Sequence, residues 1–187
     1  MELSLEIPPV ELAKRCRQGD ANSYRLLYEQ YASSLYNTAL RILQNEADAQ
    51  AALKQSFIQA FESIQQLPRR ASVEDWLKKM LVLQSIALLK RGKKNWAEIA
   101  TKDIEGYALR DDPETEEPEM DLTIDAVQKS LNCLPAGYRT VASLHLVEAY
   151  SCEEIAVMLG IAPETVCIQY KRARKKLLQL MIQNHRA

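Results

Sequence analysis

Glycine is scarce in this 187-residue chain, with five in all, and histidine is scarcer still, with His145 and His185 the only two. So few glycines leave no phosphate-cradling loop, and no Cys/His or Ser/His set stands at catalytic spacing. The four cysteines, Cys16, Cys133, Cys152 and Cys167, share no metal-type spacing. In a reducing cytosol such thiols read as small apolar residues, with zinc or a regulatory disulfide as the alternative. These absences point away from an enzyme and predict no metal, no cofactor and no small-molecule substrate. A long hydrophobic run is missing too. The most apolar stretch, Met80 to Leu89, is interrupted by Gln84 and Ser85 and is too short to span a bilayer, so it reads as a buried helix. Met1 to Val10 carries acidic residues and prolines where a signal peptide needs a basic and then an apolar segment. The expectation is a cytoplasmic protein without membrane insertion.

What is present favours helices. Leu, Ala, Gln, Glu, Lys and Arg dominate, and these residues lose little rotamer freedom in a helical turn. The net charge is only −1, yet the signs are segregated. Nearly every charge from Asp103 to Asp125 is acidic, whereas Lys171 to Lys176 reads Lys-Arg-Ala-Arg-Lys-Lys, and Lys90, Arg91, Lys93 and Lys94 form a second basic block. Segregation of this kind informs about partners where the sum does not.

The first half is read as helices throughout. Pro8 and Pro9 open a short one that stops at Gly19-Asp20. A long amphipathic pattern follows, with Tyr24, Leu27, Tyr28, Tyr31, Leu35, Ala39, Ile42 and Leu43 at three-and-four spacing. Asn45 caps a third helix, with the stripe Ala49, Leu53, Phe57, Ala60, Phe61 and Ile64. Ser72 with Asp75 resembles a capping box before Trp76-Leu77. Between about Asn95 and Asp121 the periodicity is lost and Pro113, Pro118 and the acidic run appear, which reads as a linker. Four more helices follow, roughly Thr123 to Leu134, Ala136 to Glu148, Ser151 to Leu159 and Pro163 to Asn184. The predicted architecture is all-α, with two helical domains (residues 1–94 and 122–187) joined by an acidic linker over 95–121.

The stretch from Tyr150 to Val166 carries the strongest signal. Ser151 with Glu154 forms a capping box, and Ile155, Ala156 and Leu159 give a short helix one apolar face. Gly160 can take the left-handed conformation that ends it, and Pro163 suits the first position of the next helix. Short helix, glycine turn, second helix is the helix-turn-helix arrangement. In the second helix, Val166, Tyr170, Ala173, Leu177 and Leu180 are expected to pack inward. The other face then offers Thr165, Ile168, Gln169, Lys171, Arg172, Arg174, Lys175 and Lys176 to phosphates and base edges. The alternative is an ordinary helical hairpin with a solvated basic face.

These residues resemble a known family. Leu134 to Val141, Leu144 to Glu148, Tyr150-Ser151, Glu154 to Ala156, Leu159 to Ile161, Thr165-Val166 and Arg172 to Leu177 look like region 4 of the extracytoplasmic-function RNA polymerase sigma factors. Gly19-Asp20, Phe57, Ala60-Phe61, Trp76-Leu77 and Lys90-Arg91 look like region 2. The resemblance implies a bacterial initiation factor that binds core RNA polymerase and promoter DNA and is held in check by an anti-sigma factor. It implies that the helix from Pro163 reads the −35 element through Thr165, Ile168, Gln169, Lys171, Arg172, Arg174 and Lys175. Arg69, Arg70, Ser72 and Trp76 would meet the opened −10 strand, with Lys90 and Arg91 on phosphates. A solvated turn, a core tryptophan and helix-dipole pairing are the plainer roles for these three groups. Asp48, Gln55 and Phe57 would lie near the polymerase, with a core position the alternative for Phe57.

The chain departs from the family where its charges usually act. Gln50, Ala51 and Gln55 stand where acidic residues dock on the polymerase. Leu83 and Ala87 stand where Asn and Asp serve the −10 element. Cys167, Ile168 and Gln169 replace basic or hydroxylic residues of the recognition helix. Gln169 can still pair with adenine, and Ile168 can meet a thymine methyl. Two other readings follow: a degenerate sigma-like decoy that binds an anti-sigma factor without initiating, and a stand-alone helix-turn-helix regulator.

Overall fold

The structure, a computed structural model, describes residues 7–68, 71–92 and 124–185. The chain divides into two compact units, Met1–Leu89 and Lys90–Ala187. All regular structure among the described residues is helical. The segment read above as an acidic linker, 95–121, lies outside those residues.

Unit 1 opens with α1 (Pro9–Arg17), whose first position is proline, where a missing N–H costs nothing. Gly19, at φ +85°, turns the chain. Asp20 then caps α2 (Ala21–Leu43), its carboxylate accepting from the Asn22 N–H at 3.1 Å and from the Ser23 hydroxyl. The Ser23 hydrogen bond is the main reason the Asp20 carboxyl lies below its ordinary pKa. Asn45 caps α3 (Glu46–Glu62) by accepting from the Asp48 N–H at 2.9 Å. The third helix therefore stops two residues short of Ile64, which instead starts a 3-10 turn (Ile64–Gln66). Arg17 braces that turn, donating to the Leu67 and Ile64 carbonyls at 2.7 and 3.3 Å. Ser72 accepts from the Asp75 N–H at 3.2 Å in front of α4 (Val73–Gly92).

The spacing on α2 and α3 explains the core. Leu27, Tyr31, Leu35, Ala39 and Ile42 from α2 are buried, as are Ala49, Leu53, Phe57 and Ala60 from α3, and Leu77, Leu81, Val82 and Ile86 from α4. Alanines at three points let α2 and α3 approach closely, and the aromatics fill the remaining space. Phe57 sits 4.9 Å from Tyr28 and 5.5 Å from Phe61, centroid to centroid, and Tyr24 meets Phe61 edge-on at 4.7 Å. Burying the Phe57 ring contributes about 1.5–3 kcal/mol.

Unit 2 holds α5 (Ile124–Asn132), α6 (Ala136–Ala142), α7 (Cys152–Leu159) and α8 (Pro163–His185). Leu131, Leu134, Tyr138, Ala142, Ala173, Leu177 and Met181 make one buried cluster, with Val127 and Leu180 packed against it. The helix expected over Ala136 to Glu148 is not uniform. It changes at Ser143 into a wider π turn (Ser143–Val147), closed by the Glu148 N–H donating five residues back to the Ser143 carbonyl at 3.1 Å. Ala149 then takes φ +59°, a left-handed conformation that non-glycine residues resist.

Candidate nucleic-acid interface

The helix-turn-helix of unit 2 is built from local signals. Ser151 and Glu154 form a reciprocal capping box: the Glu154 N–H donates to the Ser151 hydroxyl at 3.2 Å, and the Ser151 N–H to the Glu154 carboxylate at 2.9 Å. Two of the orphan donors at the start of α7 are thereby satisfied. Gly160 ends the helix at φ +70°, and its N–H and that of Ile161 both reach the Ala156 carbonyl, at 2.8 and 3.1 Å. That double closure is the left-handed stop that glycine provides. Ala162 then opens α8, accepting from the Thr165 and Val166 N–H groups at 3.0 and 3.3 Å. Ile155, Ala156, Leu159 and Val166 are buried and hold the two helices together.

On α8 the candidate contact residues fall into two groups. Ile168, Lys171, Arg174 and Lys175 are exposed, and Thr165 is half-buried. Thr165, Ile168, Lys171 and Lys175 recur at three- and four-residue intervals and so share a stripe of the helix surface. Arg172 is half-buried, and its Nε and Nη1 atoms are enclosed without a partner.

Gln169 corrects the sequence reading. The sequence places it on the outward face, yet it is 0% exposed, and neither its Nε2 nor its Oε1 has a hydrogen-bond partner. The buried stripe runs Val166, Gln169, Ala173, Leu177, Met181, whereas Tyr170 and Leu180 are only partly covered. In this arrangement the Gln169 amide does not face the solvent and cannot pair with a base.

Behind α8 the π turn brings His145 against Tyr170, ring centroids 4.2 Å apart and edge-on. His145 Nδ1 lies 2.8 Å from the Tyr150 carbonyl, so that nitrogen carries the proton and donates. Arg139 is buried and donates through Nη1 to the Leu134 carbonyl at 2.8 Å, and burial holds its guanidinium below its ordinary pKa. Cys152, the first residue of α7, shares a thiol hydrogen bond with Cys167 of α8. That bond, then burial, pushes the Cys152 thiol up to about 11. The cysteine pairing had no signal in sequence spacing.

The remaining candidate residues lie on α3, on α4 and in the segment before α4. Asp48 and Gln55 are exposed on α3, and Phe57 is buried at 3% exposure. Phe57 is therefore a core residue, not a free surface contact, because Tyr28 and Phe61 stack on it. It forms the floor of an open groove of ≈ 650 Å³ that Tyr28, Tyr36, Gln50, Leu53 and Ile58 also line. Ser72 is exposed before α4, Trp76 is half-buried, and Lys90 and Arg91 are exposed in its last turn. Arg69 and Arg70 lie outside the described residues. Among the described residues no three His, Cys, Asp or Glu side chains gather to hold a metal, and no helix is long and apolar enough to cross a membrane.

Residues 124–177, which contain the whole helix-turn-helix, match the family described as sigma-70, region 4. The chain is 28% identical over 156 residues to the ECF RNA polymerase sigma factor SigE of Mycolicibacterium smegmatis, covering 83% of this chain and 60% of that relative. It is 25% identical over 171 residues to the ECF sigma factor SigW of Bacillus subtilis, covering 88% and 91%. Unit 2 thus matches sigma-70 region 4, and most of the chain is similar to extracytoplasmic-function sigma factors.

Two solved structures share the fold at lower identity. The sigma factor RpoE of Bartonella quintana, in complex with the anti-sigma factor NepR, matches at a TM-score of 0.54 and 18% identity, covering 86% of this chain and 98% of that one. CnrH, in complex with the cytosolic domain of CnrY, matches at 0.55 and 18%, covering 94% and 97%. This chain spans most of the length of SigW, but only about 60% of the length of SigE.

Proposed function

We propose that this chain is a sigma factor that binds core RNA polymerase and directs promoter-specific initiation, with α8 on the −35 element and unit 1 at the −10 element. The observation that carries this is the helix-turn-helix of unit 2, capped by Ser151 and Glu154 and closed at Gly160. It presents Lys171, Arg174 and Lys175 on an exposed face within a chain that aligns with sigma factors over most of its length. Long cationic donors supply phosphate contacts, while Thr165 and Ile168 lie at the start of α8, where base edges are met in this geometry. Ile168 offers apolar contact to a thymine methyl.

On this reading the chain is a non-enzymatic cytoplasmic factor. The near-neutral net charge suits a protein that reads promoters only when docked, because a large basic excess would bind DNA indiscriminately. Asp48 and Gln55, and on another flank of α3 the groove over Phe57, are offered to the polymerase. Arg69, Arg70, Ser72 and Trp76, with Lys90 and Arg91, serve the opened −10 strand. An anti-sigma factor is the further partner, as in the complex of RpoE with NepR.

The test is binding of the purified chain to core polymerase of its host, followed by transcription from a promoter selected by that holoenzyme. Competitive binding and initiation are expected. Lys171→Ala should weaken binding to all promoters, whereas Ile168→Ala should change which −35 sequences are preferred. No binding where a conventional sigma factor of this group binds would overturn the proposal in favour of a decoy. Specific DNA binding without polymerase would favour a stand-alone regulator.

A further inference from the structure

The outward face of α8 is narrower than its composition suggests. Val166, Gln169, Ala173, Leu177 and Met181 are buried along one side of the helix. Glu164, Ile168, Lys171 and Lys175 are exposed and follow one another at intervals of four, three and four residues. At 3.6 residues per turn they line the side opposite the buried stripe. Thr165, Cys167 and Arg172 are half-buried on its flanks. Beyond Pro163, the first two turns of α8 therefore expose two side chains, Glu164 and Ile168. The second helix of this motif meets base edges with its N-terminal residues, whereas cations farther along reach phosphates.

No local contact absorbs the Glu164 carboxylate. Three and four residues on stand Cys167 and Ile168, so α8 gives it no cation at helical spacing. The capping box belongs to Ser151 and Glu154 on α7. An acid in the first turn does suit the helix dipole, its plainest role. Yet on a face turned toward a polyanion the same charge weakens binding to every phosphate that it approaches. It fits that face where it accepts a hydrogen bond that only some sequences supply.

We propose, on the reading that α8 enters the major groove of a promoter, that Glu164 sets sequence specificity by accepting from the N4 amino group of a cytosine. A carboxylate can only accept. In the major groove guanine shows acceptors, thymine shows an acceptor beside its methyl, and adenine sets an acceptor next to its amino group. Cytosine alone shows a donor with no acceptor of its own beside it. Glu164 thus selects cytosine and rejects guanine at the same position. Ile168 stands one turn further, about 6 Å along the axis, so that cytosine lies within about two base pairs of the thymine that Ile168 meets.

The experiment offers a pool of duplexes, randomised over the −35 segment, to the holoenzyme formed with host core polymerase and, in parallel, to the full chain alone. Bound sequences are counted for the unsubstituted chain, Glu164→Gln and Glu164→Ala, and the melting temperature of each is measured. The unsubstituted chain should enrich cytosine at one position by about 5- to 100-fold over other bases. A glutamine amide both donates and accepts and so matches adenine. Glu164→Gln should therefore move that one position from cytosine to adenine and leave the others unchanged. Glu164→Ala should flatten it, and bind sequences that lack the cytosine more tightly than before. Uniformly weaker binding with unchanged base preferences and a lower melting temperature would show that the carboxylate serves only the helix, which overturns the proposal. A responding position that does not hold cytosine would overturn it too. If the holoenzyme selects nothing while the free chain still selects the cytosine, promoter reading with polymerase fails and the role of Glu164 stands. If neither form of the unsubstituted chain selects any sequence, both fall.

Discussion

The two units bury polar groups in different ways. Among the described residues, the buried polar side chains of unit 1 are all hydroxyls: Ser23, Thr38, Ser56 and Ser85. Ser23 and Ser56 are satisfied locally, Ser23 donating to Asp20 and Ser56 to the Ala52 carbonyl at 2.6 Å, while the Ser85 hydroxyl and the enclosed Nε of Arg41 have no hydrogen-bond partner. Unit 2 encloses Ser130, Thr140 and Ser143, but also the guanidinium of Arg139 and the amide of Gln169. Partnerless atoms collect there, on Arg139, Ser143, Gln169 and Arg172. A buried amide without partners costs about 1–3 kcal/mol. The unit that carries the candidate DNA-reading helix thus tolerates more uncompensated polarity than the unit that stacks aromatic rings.

The strongest way to break the comparison is to remove core volume from each unit in turn. Phe57→Ala takes away the ring on which Tyr28 and Phe61 lean and should destabilise unit 1 by about 3–5 kcal/mol. Leu177→Ala opens the cluster around Leu134 and Tyr138 and should destabilise unit 2 by about 2–5 kcal/mol. Hydrogen exchange read separately over residues 21–62 and 136–181 should show protection falling only in the unit that carries the substitution. Loss of protection in both from either change would mean the chain unfolds as one body, and the contrast between units would lose its meaning.

Gln169 tests the polar half of the comparison. Gln169→Leu replaces an orphaned amide with an apolar side chain of similar size, flanked along α8 by buried Val166 and Ala173. An ordinary core substitution destabilises; this one should stabilise unit 2 by about 1–3 kcal/mol, read as a raised denaturation midpoint at unchanged m-value. A destabilising result would show that the amide is satisfied in solution and that the two interiors are more alike than described.

Much of this is legible in the sequence. The Ser151–Glu154 box, the Gly160 stop and the Asn45 cap were read from short-range chemistry, because a capping side chain and its backbone target lie within three residues. Gln169 was misread for the complementary reason. Which side of a 23-residue helix faces inward depends on what packs against it, and a glutamine is outward by default. Phe57 was placed near the polymerase by resemblance, although its α3 stripe already marked it as core. The π turn at Ser143 and the Cys152–Cys167 contact were invisible because neither has a local signature. The roles of Arg69 and Arg70 rest on sequence alone.

The smallest effect sharpens the comparison at the backbone. Each unit holds one non-glycine residue in the left-handed region: Gln44, at φ +56° after α2, and Ala149, at φ +59° after the π turn. A Cβ in this region costs roughly 1–2 kcal/mol, part of which glycine gives back through its freer unfolded chain. Both residues are exposed, so replacing either side chain removes little packing. Gln44→Gly and Ala149→Gly should therefore each stabilise their own unit by about 0.5–1 kcal/mol, measured as a rise in melting temperature of a few degrees. The two need not be equal. Gln44 closes a helix whose N–H bond to Leu40 at 2.8 Å survives the change, whereas Ala149 joins the π turn to the capping box. A gain at Gln44 with a loss at Ala149 would mean that alanine's stiffness holds the approach to Ser151. Strain in unit 2 would then be part of how the motif is positioned, as its buried amide already suggests.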